Sequence, residues 1–314
     1  MAAQRGIGLL FPGQASQFPG MGKELSDAYA VARETFEEAS DAAGLDLAAL
    51  CFRGSEEELR LTENTQPCIF TVSVAAWRVL ERETGIAPLC AAGHSLGEYS
   101  ALVASGALTL PDAVRILRSR GRYMQEAVPV GKGAMAAVMG LPAEAVEAAC
   151  RVGTPKGVVE PANFNGGDQI VISGDADAVA AACEAAKAGG AKRALPLPVS
   201  APFHCSLMKP AADRLAPELR AASRGAFRFP VMANVTAAAY PADAPVADLL
   251  IRQVVSPVRW EACVKAMIAM GAPAFLEVGP GKVLSGLVRR MSRETAVASF
   301  GAPADLPGVR ALLA

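Results

Sequence analysis

A serine between two glycines is the side chain best placed for covalent chemistry in this 314-residue chain. The stretch Gly93-His94-Ser95-Leu96-Gly97 reads G-x-S-x-G and stands between an apolar run and an alanine-rich run. In a nucleophile elbow, this pattern forms a strand-to-helix turn that exposes the serine hydroxyl and directs backbone N–H groups at a developing oxyanion. The alternative is a turn whose serine only caps the helix. The strand-then-helix context favours a nucleophile.

A serine nucleophile needs a general base, and the chain contains only two histidines. His94 directly precedes Ser95 in the predicted turn, where consecutive side chains diverge, so we expect it to pack or hydrogen-bond around the turn. His204, in the run Ala201-Pro202-Phe203-His204, is then the expected base. A histidine base also needs an acceptor that fixes its tautomer, and the spacing singles out no Asp or Glu for that task.

Composition excludes several classes of protein. A net charge of -1 offers no basic excess for nucleic acid, and no apolar run is long enough to span a membrane. The first residues lack a signal-peptide pattern, so we expect a cytoplasmic protein. The seven cysteines are scattered and never form C-x-x-C, which favours free, mostly buried thiols. With two histidines, a histidine-based metal site is not expected.

The elements that must position Ser95 and His204 follow from hydrophobic patterning. Short apolar runs predict strands at 7–11, 89–92, 229–234 and 274–278, the last two being the final strands of the main domain. Helical periodicity and start signals predict helices at 21–43, from 56, at 64–82, after Ser95, from 110, at 246–255 and at 258–270. Strands alternating with helices indicate an α/β fold with a parallel sheet covered on both faces.

The character of the sequence changes between 128 and 198. The predicted order there is strand 134–139, helix 143–150, strand 157–162, strand 169–173, helix 176–187 and strand 193–197. That βαββαβ order is typical of a ferredoxin-like subdomain. We therefore expect a large catalytic domain, residues 1–127 and 199–314, with the small subdomain at 128–198 inserted into it.

Many sequence blocks, in order along nearly the whole chain, resemble the malonyl-CoA:acyl carrier protein transacylase family of fatty acid synthesis. The blocks are Phe11-Pro12-Gly13-Gln14-Ala15-Ser16-Gln17, Asn64-Thr65-Gln66-Pro67, Gly93-His94-Ser95-Leu96-Gly97-Glu98-Tyr99-Ser100, Arg120-Gly121-Arg122-Tyr123-Met124-Gln125, Ala127-Val128-Pro129-Val130-Gly131, Pro198-Val199-Ser200-Ala201-Pro202-Phe203-His204, Gln253, Ser256-Pro257-Val258-Arg259-Trp260 and Glu277-Val278-Gly279-Pro280-Gly281. The resemblance implies an α/β-hydrolase-like parallel sheet core with an inserted ferredoxin-like βαββαβ subdomain.

The resemblance also implies roles for individual residues. Ser95 would carry the malonyl group as an ester, and His204 would move the protons. A carbonyl oxygen involving Gln253 would orient the histidine, and the backbone N–H groups of Gln14 and Leu96 would form the oxyanion hole. Because Gln14 would act through its main chain, replacing its side chain should change activity little.

Arg120 is the expected determinant of selectivity. A guanidinium can bind the free carboxylate of a malonyl group, which an acetyl group lacks. Read without the resemblance, Arg120 could be one of several solvated arginines of a helix. One position departs from the family pattern, because Ala15 stands where a second glycine is usual. The extra methyl group should be tolerated if φ is negative there.

The implied partners are malonyl-CoA and acyl carrier protein, which present the same phosphopantetheine arm. Lys192, Arg193 and Lys282 are candidates for docking the acidic carrier protein, although each could be an ordinary solvated charge. The scheme needs no metal or redox cofactor, with the coenzyme A thioester as substrate. We expect a monomer without a nucleic-acid or membrane partner.

Alternative functions share the same residues. A serine hydrolase or thioesterase would send the acyl group to water, and a trans-acting acyltransferase would serve a polyketide pathway or prefer methylmalonyl. Phe203 before His204 resembles the malonyl type of polyketide acyltransferase, in which the bulky ring crowds an α-methyl group. A catalytically silent carrier-protein scaffold is disfavoured by intact Ser95 and His204.

Overall fold

The computed structural model of the chain describes residues 6–199, 201–243 and 245–314. The chain divides into two compact units, the first made of Met1–Gly121, Ala221–Ala244 and Ala262–Ala314 and the second of Arg122–Arg220 and Pro245–Glu261. The strands of the described residues are β1 (Gly8–Phe11), β2 (Cys90–Gly93), β3 (Gly133–Met139), β4 (Val159–Gly166), β5 (Gln169–Asp175), β6 (Arg193–Pro196), β7 (Val231–Ala233), β8 (Ala238–Ala239), β9 (Ala274–Val278) and β10 (Ala296–Phe300).

Helices connect these strands throughout the described residues. The α-helices are α1 (Lys23–Ala28), α2 (Ala30–Ala43), α3 (Leu47–Arg53), α4 (Glu56–Arg60), α5 (Thr62–Thr84), α6 (Gly97–Ala104), α7 (Leu110–Glu126), α8 (Ala143–Gly153), α9 (Ala176–Ala188), α10 (Lys209–Ala221), α11 (Val246–Val254), α12 (Trp260–Ala269), α13 (Val283–Met291) and α14 (Leu306–Leu313). None of these helices combines the length and the apolar composition that crossing a membrane requires.

The first unit is built on a six-stranded sheet with the order β10-β9-β1-β2-β7-β8. All neighbours pair in parallel except β7 and β8, so the carboxyl ends of five strands meet at one edge. The central strands β1 and β2 are buried along their whole length, which explains why they read as short apolar runs without alternation. This is the predicted α/β-hydrolase-like parallel core.

The sequence-based predictions missed α3, β8, α13 and α14 of this unit, and two further differences have a clear physical reason. The helix predicted at 21–43 is two helices, because Tyr29 has an extended backbone (φ -127°, ψ 125°) that ends α1 and begins α2. The prediction that β9 is the last strand is wrong, since β10 pairs in parallel with β9. β10 lies at the edge of the sheet and is mostly half-buried, so it lacks the continuous apolar run that marks β1 and β9.

The second unit contains a four-stranded antiparallel sheet with the order β4-β5-β3-β6. α8 and α9 pack against it around a core that includes Val138, Val146, Ile172 and Val179. The βαββαβ order of this ferredoxin-like subdomain is as predicted. All its elements lie within the predicted range 128–198, while the compact second unit is larger and also takes in α10 and α11.

Candidate active site

Ser95 lies in the turn between β2 and α6 and has a φ of 53°, in the left-handed region that side chains seldom adopt. Both glycines of the motif are required by space. A Cβ atom on Gly93 would lie 1.9 Å from the carbonyl oxygen of Gly97, and one on Gly97 would lie 2.2 Å from the carbonyl oxygen of Phe11. Since both distances are far below van der Waals contact, the turn needs glycine on either side of the serine. This is the geometry of a nucleophile elbow.

The loop that carries Gln14 packs against this elbow. The His94 N–H donates to the Phe11 carbonyl oxygen at 3.0 Å, and a Cβ atom on Gly13 would lie 2.5 Å from the His94 carbonyl oxygen. The Gln14 side chain points elsewhere, because its amide donates to Thr62 Oγ1 at 3.4 Å. The structure therefore packs the backbone just before Gln14 against His94, while the Gln14 side chain contacts another element.

Ala15, in the same loop, has a φ of 79°. The condition under which its methyl group would be unstrained, a negative φ, is therefore not met. Its N–H donates to Gln17 Oε1 at 2.9 Å, which closes the turn locally. The loop keeps the left-handed conformation typical of glycine with an alanine in place, at a cost of about 1 kcal/mol.

Asn234, at the carboxyl end of β7, ties the elbow together. Its Oδ1 accepts the Ser95 N–H at 2.8 Å, and its Nδ2 donates to the Gly93 carbonyl oxygen at 2.8 Å. The Asn234 N–H donates to Glu98 Oε2 at 3.0 Å, and the Tyr240 hydroxyl donates to Glu98 Oε1. Because the Ser95 N–H donates to Asn234, it is not the expected oxyanion donor, and the assignment of that role to the Leu96 N–H stays a prediction.

Arg120, on α7, places a buried cation at the serine. The whole residue is 1% exposed. The guanidinium Nη2 donates to Ser95 Oγ at 3.1 Å, and Nη1 donates to Gln66 Oε1 at 2.7 Å. Burial lowers the pKa of Arg120, and the nearby Tyr99 and Glu98 oppose that shift. An arginine stays protonated in proteins, so the site holds a positive charge that suits an anionic acyl group.

His204, in the second unit, has a φ of 60° and is 3% exposed. Its Nδ1 lies 2.9 Å from the carbonyl oxygen of Gln253, at the end of α11. A carbonyl oxygen can only accept, so Nδ1 carries the proton and Nε2 is left with the lone pair that a general base needs. No carboxylate is required to fix this tautomer, which explains why no Asp or Glu could be singled out.

Cys205, which follows His204 in the chain, carries a buried thiol. Its thiol donates to the Pro202 carbonyl oxygen at 3.1 Å, and burial raises the pKa of Cys205 to about 11. A thiol with that pKa remains protonated near neutral pH and is a poor nucleophile. All seven cysteines are free and buried, as the scattered pattern predicted.

The remaining predicted site residues are basic. Lys192, Arg193 and Lys282 are all exposed, the first two in the second unit and Lys282 at the start of α13 in the first. Their proposed part in docking a carrier protein stays a prediction. Within the described ranges, no group of three or more His, Cys, Asp or Glu is arranged to hold a metal ion.

The sequence did not single out three residues that contact Arg120 or hold the Ser95 turn: Gln66, Glu98 and Asn234. Asn234 had a usable signal, because polar residues that follow parallel strands gather at the edge where such folds place their sites. Glu98 follows the elbow directly but is fully buried, and charged residues in a first helical turn are usually solvated. Gln66 looked like part of a helix start.

Comparison with protein families gives a match over most of the chain. Residues 9–306 match the sequence model described as "Acyl transferase domain". The chain is 48% identical over 297 residues to the malonyl CoA-acyl carrier protein transacylase of Salmonella typhimurium, covering 95% of this chain and 96% of the relative. It is 51% identical over 290 residues to the protein of that name from Bacillus subtilis, covering 91% of this chain and 90% of the relative.

Solved structures agree with the sequence comparison. The malonyl CoA-acyl carrier protein transacylase of Coxiella burnetii has a TM-score of 0.95 at 42% identity, covering 99% of both chains. A malonyl-transacylase solved in complex with its type II PKS acyl-carrier protein has a TM-score of 0.93 at 46% identity, covering 96% of this chain and 98% of that chain. At these identities the likeness extends beyond the fold.

Proposed function

This chain belongs to the malonyl CoA-acyl carrier protein transacylase family, and we propose that it transfers a malonyl group from malonyl-CoA to the phosphopantetheine thiol of acyl carrier protein. The observation that carries the choice of acyl group is the buried Arg120 guanidinium, 3.1 Å from Ser95 Oγ. A cation at that distance can bind a carboxylate that ends the acyl chain on the serine. An acetyl group would leave the buried charge without its anion.

The first half of the reaction acylates the enzyme. Ser95 Oγ attacks the thioester carbonyl carbon while His204 Nε2 takes the hydroxyl proton. The developing oxyanion is held by the backbone N–H groups of Leu96 and Gln14, and one such donor contributes about 3–4 kcal/mol. When the carbon–sulfur bond breaks, His204 returns the proton to the leaving coenzyme A thiolate, and a malonyl ester remains on Ser95.

The second half transfers the malonyl group. His204 takes the proton of the carrier thiol, whose sulfur attacks the ester carbonyl carbon. The bond to Ser95 Oγ breaks, and the serine recovers its proton from His204. Atoms and protons balance between a thioester, a serine ester and a second thioester, so the scheme runs without a metal or redox group. The Gln253 carbonyl oxygen keeps the Nδ1 proton in place through both halves.

We further propose that the transfer supplies extender units for fatty acid synthesis in the cytoplasm, where free thiols such as the seven of this chain persist. The structural neighbour with a type II PKS acyl-carrier protein favours a second candidate, the same transfer to a polyketide carrier. The two candidates differ only in the carrier protein. Rates measured with one carrier of each kind would separate them.

The test is intact-mass spectrometry of the protein mixed with malonyl-CoA, acetyl-CoA or methylmalonyl-CoA, with and without holo carrier protein. We expect a malonyl adduct on Ser95 that moves to the carrier, a far weaker acetyl adduct, and none on a Ser95→Ala variant. An adduct lost to water without a carrier product would turn the assignment to a hydrolase. Labelling of another residue in Ser95→Ala would remove the nucleophile assignment.

Carrier docking has its own test. Lys192→Glu with Arg193→Glu should slow transfer to carrier protein and spare acylation from malonyl-CoA, because the proposal places these two residues against the carrier protein and not against coenzyme A. Lys282→Glu is expected to act in the same direction. Lys156→Glu, another exposed lysine, is the matched control. Equal loss in both half-reactions would assign these residues to folding.

A further inference from the structure

The residue two positions after His204 is held by a carboxylate from the small sheet. Glu160, on β4, accepts the Ser206 N–H on Oε2 at 2.8 Å and the Ser206 hydroxyl on Oε1 at 2.7 Å. Ser206 is exposed and Glu160 half-buried. Two bonds from one carboxylate to one residue fix the orientation as well as the position of the chain there.

The same strand also holds the segment that follows Gln253. The Val258 N–H donates to the Ala162 carbonyl oxygen at 2.9 Å, and the Phe164 N–H donates to the Val258 carbonyl oxygen at 2.9 Å. β4 therefore contacts both segments whose meeting gives the Nδ1 to carbonyl distance of 2.9 Å between His204 and Gln253.

β4 lies at the edge of the small sheet, so alternate backbone groups of this strand point away from β5. Its register with β5 shifts between Pro161 and Asn163, so Ala162 has no partner in that ladder. A β-bulge of this kind turns backbone groups away from the neighbouring strand. The Ala162 carbonyl oxygen accepts the Val258 N–H on the outer side of β4.

We infer that Glu160 is a positioning residue for His204. The left-handed backbone of His204, with a φ of 60°, persists only where neighbouring contacts hold it. The Glu160 carboxylate supplies two such contacts on the carboxyl side of the histidine, and the Gln253 carbonyl oxygen supplies one on the ring. The inference rests on the proposed function, in which His204 is the base, and adds the group that holds its loop.

The test is the rate of Ser95 acylation by malonyl-CoA in Glu160→Ala, Glu160→Gln, Ser206→Ala and His204→Ala. We expect Glu160→Ala to lower kcat by about 10-fold with KM unchanged, because a displaced base slows proton transfer without weakening substrate binding. Glu160→Gln should recover most of that loss, since its Oε1 can accept the Ser206 N–H and its Nε2 can donate to the hydroxyl. Ser206→Ala should fall between them, because it keeps the N–H. Glu147→Ala, at an exposed glutamate of α8, is the control.

Hydrogen exchange at the Ser206 amide gives a readout independent of catalysis: faster in Glu160→Ala and restored in Glu160→Gln. If Glu160→Ala acylates at the wild-type rate and His204→Ala is inactive, the inference about Glu160 is wrong while the proposed function still stands. A Glu160→Gln variant as slow as Glu160→Ala would overturn it as well, since charge rather than hydrogen bonding would then matter. If His204→Ala is active, His204 is not the base, and the proposed mechanism is wrong. If Glu160→Ala does not fold, Glu160→Gln and Ser206→Ala still decide.

Discussion

The two residues proposed as nucleophile and base have the same unusual backbone conformation, held by different means. Ser95 and His204 have φ angles of 53° and 60°. The serine turn is fixed by the absence of side chains on Gly93 and Gly97 and by the amide of Asn234. The histidine is oriented by a main-chain oxygen. A turn that requires particular residue types can be recognised in a sequence, whereas every residue has a carbonyl oxygen and gives no such signal.

Gly93→Ala should have the largest effect, because it disrupts the turn that holds Ser95. A methyl group 1.9 Å from Gly97 cannot be accommodated without moving backbone, so we expect a loss of at least about 4 kcal/mol in the free energy of unfolding, and no acylation. Urea unfolding and intact-mass labelling measure both. Gly286→Ala in α13, where an added Cβ meets nothing within 4 Å, should instead stabilise by up to about 1 kcal/mol. A folded, active Gly93→Ala protein would contradict the steric argument.

Arg120→Ala removes the buried positive charge next to Ser95. Losing one partner of a buried charged interaction costs about 3–5 kcal/mol, so malonyl acylation should fall by at least about 100-fold. Acetyl acylation should rise relative to malonyl, and acylation rates with the two thioesters show the change. Arg115→Ala is the matched control, because Arg115 lies on the same helix, half exposed and paired with Asp112. Unchanged selectivity would exclude Arg120 as the carboxylate-binding residue.

Gln253→Ala tests how His204 is oriented. The Gln253 side chain is expected to matter little, because the main-chain oxygen makes the contact. The substitution keeps the carbonyl oxygen at Nδ1, so kcat should fall by less than about 10-fold, whereas His204→Ala should cost about 1000-fold or more. Some stability will be lost because Gln253 is fully buried. Rates should therefore be taken well below the melting temperature. Equal losses in the two variants would show that the side chain, and not the carbonyl, orients the base.

Ala15→Gly is expected to have the smallest effect. Glycine adopts a φ of 79° without strain, so the substitution should stabilise by about 0.5–1 kcal/mol after the added freedom of the unfolded chain is counted. Thermal unfolding measures this gain. Ala266→Gly, inside α12, should lower stability by about 1 kcal/mol. Destabilisation by Ala15→Gly would mean that the methyl group makes contacts that outweigh its strain.

Much of the fold could be predicted because its signals are local. The buried strands β1, β2 and β9 read as apolar runs, and the βαββαβ order followed from alternating patterns. Ser55 indicated a helix start and forms a capping box with Glu58. The edge strand β10 was missed because its half-buried residues follow neither pattern.

The candidate site was predicted in part for the same reason. Ser95 carries a motif, and His204 followed from the scarcity of histidines. Arg120 could not be separated from the other arginines of α7 by sequence, because its burial depends on Gln66 and Ser95, which are distant in the chain. The Glu160–Ser206 pair likewise joins residues that only the tertiary fold brings together.

The attachment of two separate segments to β4 bears on how this protein could be recombined with its relatives. A graft limited to residues 133–196 would import a new β4 and part it from the native partners at Ser206 and Val258. Exchanging Arg122–Arg220 together with Pro245–Glu261 takes β4, the His204 loop and the accepting carbonyl oxygen of Gln253 from one parent. Chimeras joined at those borders should keep His204 in its native position. For recombination, the small subdomain is therefore part of a larger unit that has to be exchanged as a whole.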